Sequence, residues 1–297
     1  MGSKIVYYVL LLPISKLPYP ILYLFSNFVF FMIYRVVGYR KKVVLKNIKQ
    51  SFPNKTDREH KKIMTDFYRH FCDLILESVK GFSLKKEEAL KRFVLTNPEV
   101  ADEFYAKGQD VIFVGGHYNN WEILAISLGL QMKHIPMGIY KRLTDQFLDG
   151  KMKTSREKYR LKMCPTSDVK ELMDANLGEP KGTIFAIDQS PSNPNKSYWM
   201  NFLDQETAVL FGAEKYATEK NLAVIFCKIG KTKRGHYTGT FKLLCDNPTE
   251  QPYGAITQMG TKELEKDILE APQYWLWSHK RWKHKRPEGV TLHEDIV

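Results

Sequence analysis

Residues 5–37 are apolar almost without interruption, with only Lys16 and Arg35 carrying charge. Pro13, Pro18 and Pro20 divide the stretch into a short first piece and a longer second one, about residues 20–37. The second piece approaches the roughly 20 residues needed to cross a bilayer core. From 41 to 82 the apolar positions Val43, Val44, Ile48, Ile63, Phe67, Phe71, Leu74 and Leu76 recur at helical spacing. Pro53-Asn54 interrupts them and Thr56-Asp57 offers a helix cap. After Pro98 strand-like runs alternate with helical ones: 111–114 then 121–130, 135–140 then 146–163, 183–187 then 208–220, and 222–228. This alternation predicts an α/β fold with a sheet flanked by helices. Residues 236–244 alternate as an edge or antiparallel strand does, and 255–270 predicts a helix.

Charge changes how the N-terminal stretch reads. The chain carries 45 Lys plus Arg against 33 Asp plus Glu, a net +12. Arg35, Arg40, Lys41, Lys42, Lys46 and Lys49 cluster directly behind the apolar stretch, and Tyr7, Tyr8, Tyr19, Tyr23 and Tyr34 punctuate it. Tyrosines at the interface and cations behind them suit a membrane surface. By the positive-inside rule they put the rest of the chain in the cytoplasm. The segment either spans the bilayer or lies at its surface; a pair of buried core helices is the alternative reading. No nucleic-acid recognition motif and no low-complexity basic arm is present, so nucleic acid is not expected as a partner. Cys72, Cys164, Cys227 and Cys245 are widely spaced, which suits buried thiols rather than a disulfide framework or a zinc site. No metal or cofactor is expected.

Candidate chemistry concentrates where strands give way to helices. Gly115-Gly116-His117-Tyr118-Asn119-Asn120-Trp121-Glu122 follows the first core strand, with two glycines that permit a sharp turn. Histidine titrates near neutrality and can accept a hydroxyl proton, and a carboxylate can orient it and stabilise its charged form. His117 is therefore expected as general base and Glu122 as its partner. Five positions apart, the two do not face each other on one regular helix. His117 belongs in the turn and Glu122 in the first turns of the helix. Tyr140-Lys141-Arg142 ends the second strand and Asp188-Gln189-Ser190-Pro191 the third, so all three groups are expected on one rim of the sheet. Arg142 suits bidentate contact with a phosphate. Asp188 and Gln189 read as support or substrate contact. Arg156, four positions before Arg160, is a candidate for phosphate binding, though a solvated helix face is the more probable reading. Negative charge developing at such a site would fall to backbone N–H groups of the turn or to a basic side chain. Tyr274 to Trp277, followed by Lys280, Arg281, Lys283, Lys285 and Arg286, interleaves aromatics with cations, as at a membrane interface or in a core followed by a basic tail.

The spacing from His117 to Glu122 resembles the H-x4-D/E signature of glycerolipid acyltransferases. Ile139 to Arg142, Ala186 to Gln189, Phe202, Phe211-Gly212 and the run from Ala271 to Lys283 narrow the resemblance to the lipid A secondary acyltransferases, the lauroyl and myristoyl transferases of Gram-negative bacteria. It extends from the apolar segment to about Pro287. The sequence departs from the family's Tyr-Arg-Pro at Tyr140-Lys141-Arg142-Leu143, and it has Tyr118-Asn119-Asn120-Trp121 after the histidine. The resemblance implies a mixed central sheet flanked by helices, with a membrane-associated N-terminal helix. It divides the chain into a membrane-anchoring segment, 1–40, and an acyltransferase domain, 41–297, at the cytoplasmic side of the inner membrane. It also implies transfer of a fatty acyl chain from an acyl carrier protein thioester to a hydroxyl of lipid A or a related membrane lipid. A lysophospholipid or amino-acid lipid acceptor, or a non-catalytic lipid-binding role, are the alternatives.

Overall fold

The computed structural model describes residues 2–297. The N-terminal stretch forms two helices, residues 2–16 and Tyr19–Val37, separated only by the extended backbone of Leu17 and Pro18. Pro20 lies in the first turn of the second helix, where its missing N–H has no intrahelical partner to lose. Pro13 does not break the first helix; it follows the wide turns of residues 6–11. The second helix ends at Gly38 with φ of 66°, the left-handed conformation glycine adopts without penalty. Its 19 residues are long and apolar enough to cross a membrane.

Helix Lys41–Ser51 leads to the 25-residue helix Asp57–Gly81. The cap expected at Thr56-Asp57 is a full capping box. Thr56 Oγ1 accepts from the Glu59 N–H, and Glu59 accepts from the Thr56 N–H at 2.7 Å.

The seven-stranded sheet has the order β1-β9-β8-β2-β5-β3-β4. The strands are β1 Phe93–Leu95, β2 Val111–Gly115, β3 Ile135–Tyr140, β4 Lys162–Pro165, β5 Lys181–Ala186, β8 Ala223–Lys233 and β9 His236–Cys245. All neighbours run parallel except β8 and β9, so the sheet is mixed, and the α/β expectation with flanking helices holds. The antiparallel strand expected at 236–244 is present, with β1 outside it as the edge. Two strands, β6 Tyr198–Phe202 and β7 Gln205–Val209, form a separate hairpin. Its two-residue turn, Leu203-Asp204, has positive φ at both positions.

Alternate side chains of the central strands feed two cores. Ile112, Val114, Val224 and Phe226 pack with Ala213, Ala217, Ile256, Leu264 and Ile268 on one face. Val111, Phe113, Ala223 and Ile225 pack with Ala101, Phe104 and Leu128 on the other. Coverage of both faces explains why these strands read as unbroken apolar runs. Two expected helices are shorter than their pattern. The run 146–163 is helix only over Gln146–Arg156 and then becomes β4. In 208–220 the first residues belong to β7, and the helix is Gly212–Lys220. Cys72, Cys164 and Cys245 are buried and Cys227 half-buried, all as free thiols.

Candidate active site

The carboxyl ends of β2, β3 and β5 open into one cavity of about 780 Å³. His117, Glu122, Arg156 and Gln189 line it together with Tyr140 and Lys141. The strand-end groups therefore converge on one rim, with Asp188 behind His117 and not in the wall itself, and Arg142 turned away. Arg142 has its side chain 65% exposed and lies 3.7 Å from Asp168, outside the cavity wall. Its neighbours Lys141 and Leu143 line the cavity instead.

His117 is held by Asp188 rather than by Glu122. The His117 Nδ1–H donates to Asp188 Oδ1 at 2.7 Å, and the His117 backbone N–H donates to Oδ2 at 2.7 Å. The Trp275 indole N–H donates to the same Oδ2 at 2.8 Å. Gly116 makes this possible: a Cβ there would stand 3.2 Å from Asp188 Oδ2 and 2.6 Å from Leu264. The expectation that Glu122 orients the histidine is thus corrected. Glu122 lies on helix Trp121–Leu128 and is bound by Arg156 through two parallel bonds, Nε to Oε2 at 2.9 Å and Nη2 to Oε1 at 2.6 Å. A helix start directs that carboxylate along the cavity wall, while the end of β5 brings Asp188 directly behind the imidazole. Arg156 is correspondingly not on a solvated face; its side chain is only 21% exposed.

With Nδ1 carrying a proton toward Asp188, Nε2 is the acceptor nitrogen and faces the cavity, 3.2 Å from Gln189 Nε2. The His117 side chain remains 19% exposed, against 3% for Asp188. Burial alone would raise the Asp188 pKa. The His117 charge and bonds and the Trp275 indole outweigh it and hold the carboxyl at about 2. Burial pulls His117 the other way, toward the neutral form. The Asp188 charge and hydrogen bond more than offset this, Glu122 adds to the rise, and the imidazole titrates above its ordinary value.

The Tyr-Asn-Asn run after the histidine fixes the turn. Tyr118 Oη donates to the carbonyls of Asp267 and Ala271. Asn119 takes φ of 52° and donates its amide to the Ile229 carbonyl at 2.7 Å. Asn120 caps the helix of Glu122 by accepting from the Ile123 N–H at 2.9 Å. The turn's N–H groups at His117 and Tyr118 are already bonded, to Asp188 and to the Gly116 carbonyl, so neither is free for an oxyanion.

The aromatic C-terminal run closes the site from behind and does not face outward. Trp275 and Trp277 are buried, and Trp275, Trp282 and Phe202 pack ring against ring. His279 Nε2 accepts from the Ser190 N–H at 3.0 Å. Burial holds the His279 pKa below its ordinary value, which suits an acceptor nitrogen. Sequence reasoning missed Trp275 and His279 as supports of the Asp188 loop, and also Lys215, which lines the cavity. No spacing within the chain signals contacts across 87 and 89 positions.

The sequence matches the family model for bacterial lipid A biosynthesis acyltransferase over residues 3–284. The chain belongs to that family. It is 21% identical over 280 residues to the lipid A biosynthesis palmitoleoyltransferase of Escherichia coli, covering 93% of this chain and 89% of that one. It is 22% identical over 279 residues to the lauroyltransferase of the same organism, with 93% and 90% covered. A lipid A biosynthesis acyltransferase of Haemophilus influenzae is 22% identical over 279 residues, with 93% and 88% covered. In this member of the lipid A acyltransferases the histidine of the H-x4-E motif and the first acidic residue after β5 form one hydrogen-bonded pair at the cavity. The chain is accordingly an acyltransferase, and the expected family is the one found.

Proposed function

We propose that this acyltransferase moves a fatty acyl chain from an acyl carrier protein thioester to a hydroxyl of lipid A or a related lipid, at the cytoplasmic surface of the inner membrane. The observation that carries this reading is the His117–Asp188 pair at the mouth of a large apolar cavity. Phe113, Leu124, Ile139, Met163, Ile184 and Phe185 are among its walls, a lining suited to hydrocarbon. Lys141 and Lys215 add positive charge that suits the phosphates of lipid A and of a carrier's phosphopantetheine, while the charge of Arg156 is paired with Glu122.

The chemistry follows from the tautomer. His117 Nε2 takes the proton of the acceptor hydroxyl as its oxygen attacks the thioester carbonyl carbon. Asp188 stabilises the imidazolium that forms. The Gln189 amide, within reach of Nε2, is our candidate donor to the tetrahedral oxyanion, since the His117 and Tyr118 amides are occupied. As the carbonyl re-forms, the carbon–sulfur bond breaks and the leaving thiolate recovers the proton from His117. Ester and free thiol are the products. Glu122 keeps Arg156 at the cavity wall and adds to the field that favours the charged imidazole.

The membrane reading rests on the outer face of the N-terminal helices. Ile21, Leu24, Phe25, Phe28 and Phe31 are exposed, whereas Leu22, Ser26 and Tyr34 pack inward on the 57–81 helix. This two-sided helix favours a segment lying along the lipid surface.

Purified enzyme supplied with acyl carrier protein thioester and a panel of hydroxylated lipids tests the reading. The expected product is an acylated lipid A precursor, formed at least about 100-fold more slowly by His117→Ala. Product with only a phosphoglyceride or amino-acid lipid would overturn the acceptor. Free fatty acid without acylated lipid would mark a hydrolase, and unchanged turnover by the variant would remove the mechanism.

A further inference from the structure

Tyr23 and Ser26 face inward from the apolar N-terminal helix, and Asn27 beside them is exposed. They meet two carboxylates one turn apart on the 57–81 helix. Ser26 Oγ donates to Asp73 Oδ1 at 2.6 Å, and Arg234 bridges Asp73 to Asn27. Tyr23 Oη donates to Glu77 Oε1 at 2.7 Å. The other oxygen of Glu77 accepts from Tyr237 Oη at 2.8 Å and from the Asn120 amide at 2.6 Å. Glu77 and Asn120 are both buried. The opposite end of the Asn120 amide, three residues beyond His117, caps the helix that carries Glu122. Tyr23, Glu77 and Asn120 therefore form an unbroken chain from the apolar helix to the turn that bears the histidine.

We propose that Glu77 is a positioning residue for acyl transfer, and that through it the N-terminal helix is a working part of the active site as well as a membrane attachment. The three donors leave Glu77 no polar alternative in its buried surroundings, so its position sets that of Asn120. Asn120 in turn fixes the start of the Glu122 helix and the end of the His117 turn. Loss of the Tyr23 bond frees one carboxylate oxygen and lets the chain shift; loss of the Glu77 acceptor strands the Asn120 amide. Either change moves His117 relative to Asp188 without touching the substrates.

The inference rests on the reading of His117 as the base, and its test separates the two. Full-length wild type, His117→Ala, Tyr23→Phe, Asn120→Asp and the exchange pair Glu77→Gln/Asn120→Asp are assayed in detergent with carrier-protein thioester and dispersed lipid acceptor; Asn120→Asp sets a carboxylate against that of Glu77 and leaves no donor between them. In the pair the amide and carboxylate trade sides, so the bond is restored with reversed polarity. Asn120→Asp should lower kcat by about tenfold or more with KM within about twofold, a loss expected when a reacting group is misplaced. Its acid limb should move to lower pH as His117 loses contact with Asp188. The exchange pair should recover kcat to within about threefold of wild type, and Tyr23→Phe should fall between, with an unchanged vesicle-bound fraction. Wild-type kcat in Asn120→Asp overturns the proposal. So does a loss that the exchange pair does not repair, since that marks a merely structural role. Full activity in His117→Ala would instead overturn the reading of the site.

Discussion

Asp188 accepts three hydrogen bonds, two of them from the same histidine, and with His117 as the proposed base this makes Asp188 the carboxylate expected to matter most for proton transfer. Asp188→Asn would keep the shape but remove the charge that stabilises the imidazolium and selects the tautomer. A fall in kcat of about a thousandfold, some 4 kcal/mol, is expected. The pH dependence has a definite sign. A base works when neutral, and His117 titrates above its ordinary value, so kcat/KM should rise with pH through an apparent pKa above about 6.5. In Asp188→Asn the limb should move to lower pH as the ceiling falls. Glu122→Gln should cost less, about tenfold, because Glu122 acts on His117 only through space and through Arg156. Steady-state pH profiles of the three enzymes check this order. At this scale the sequence was informative about residue types and misleading about partners. His117, Asp188 and Gln189 were all legible as strand-end groups. The pairing was not, because a motif counts along one segment whereas Asp188 reaches His117 from another strand, 71 positions away.

Single elements carry two further predictions. Gly138 on β3 faces the cavity, and a Cβ there would stand 3.1 Å from the Met163 sulfur. Gly138→Leu should fill that volume and shift selectivity toward shorter acyl chains, with kcat retained for the short ones. Competition between thioesters of different length checks it, and an unshifted profile would locate the chain elsewhere. On the Tyr19–Val37 helix, Phe25→Ser with Phe28→Ser should weaken binding to anionic vesicles by about tenfold or more, since each exposed ring contributes about 1.5–3 kcal/mol when buried in lipid. Sedimentation with vesicles measures it. Long periodic elements were readable from the sequence: the capped 57–81 helix, the central strands and the helix Ala255–Glu270. Short ones were not. The three residues of β1 carry no period, and β4 merges with the helical pattern before it. The β6–β7 hairpin turns on Leu203-Asp204 rather than on a glycine, so its usual signal is missing.

Across the whole molecule, the apolar helix, the sheet and the C-terminal aromatic run meet at one turn. Asn119 and His117 pair through their backbones with Tyr274 and Leu276, and Asn47 and Arg40 tie the same C-terminal segment to the residues behind the apolar helix. Buried tryptophans and a half-buried imidazole–carboxylate pair thus share one framework. The tryptophans looked suited to a membrane surface because side-chain type alone does not report which way a segment faces. Lipid mass spectrometry of a host carrying wild type or His117→Ala tests the central claim most directly. The account predicts lipid A heavier by one acyl chain with wild type and unchanged with the variant. Lipid profiles that are identical for the two genes, or a gain on a different lipid class, would contradict it.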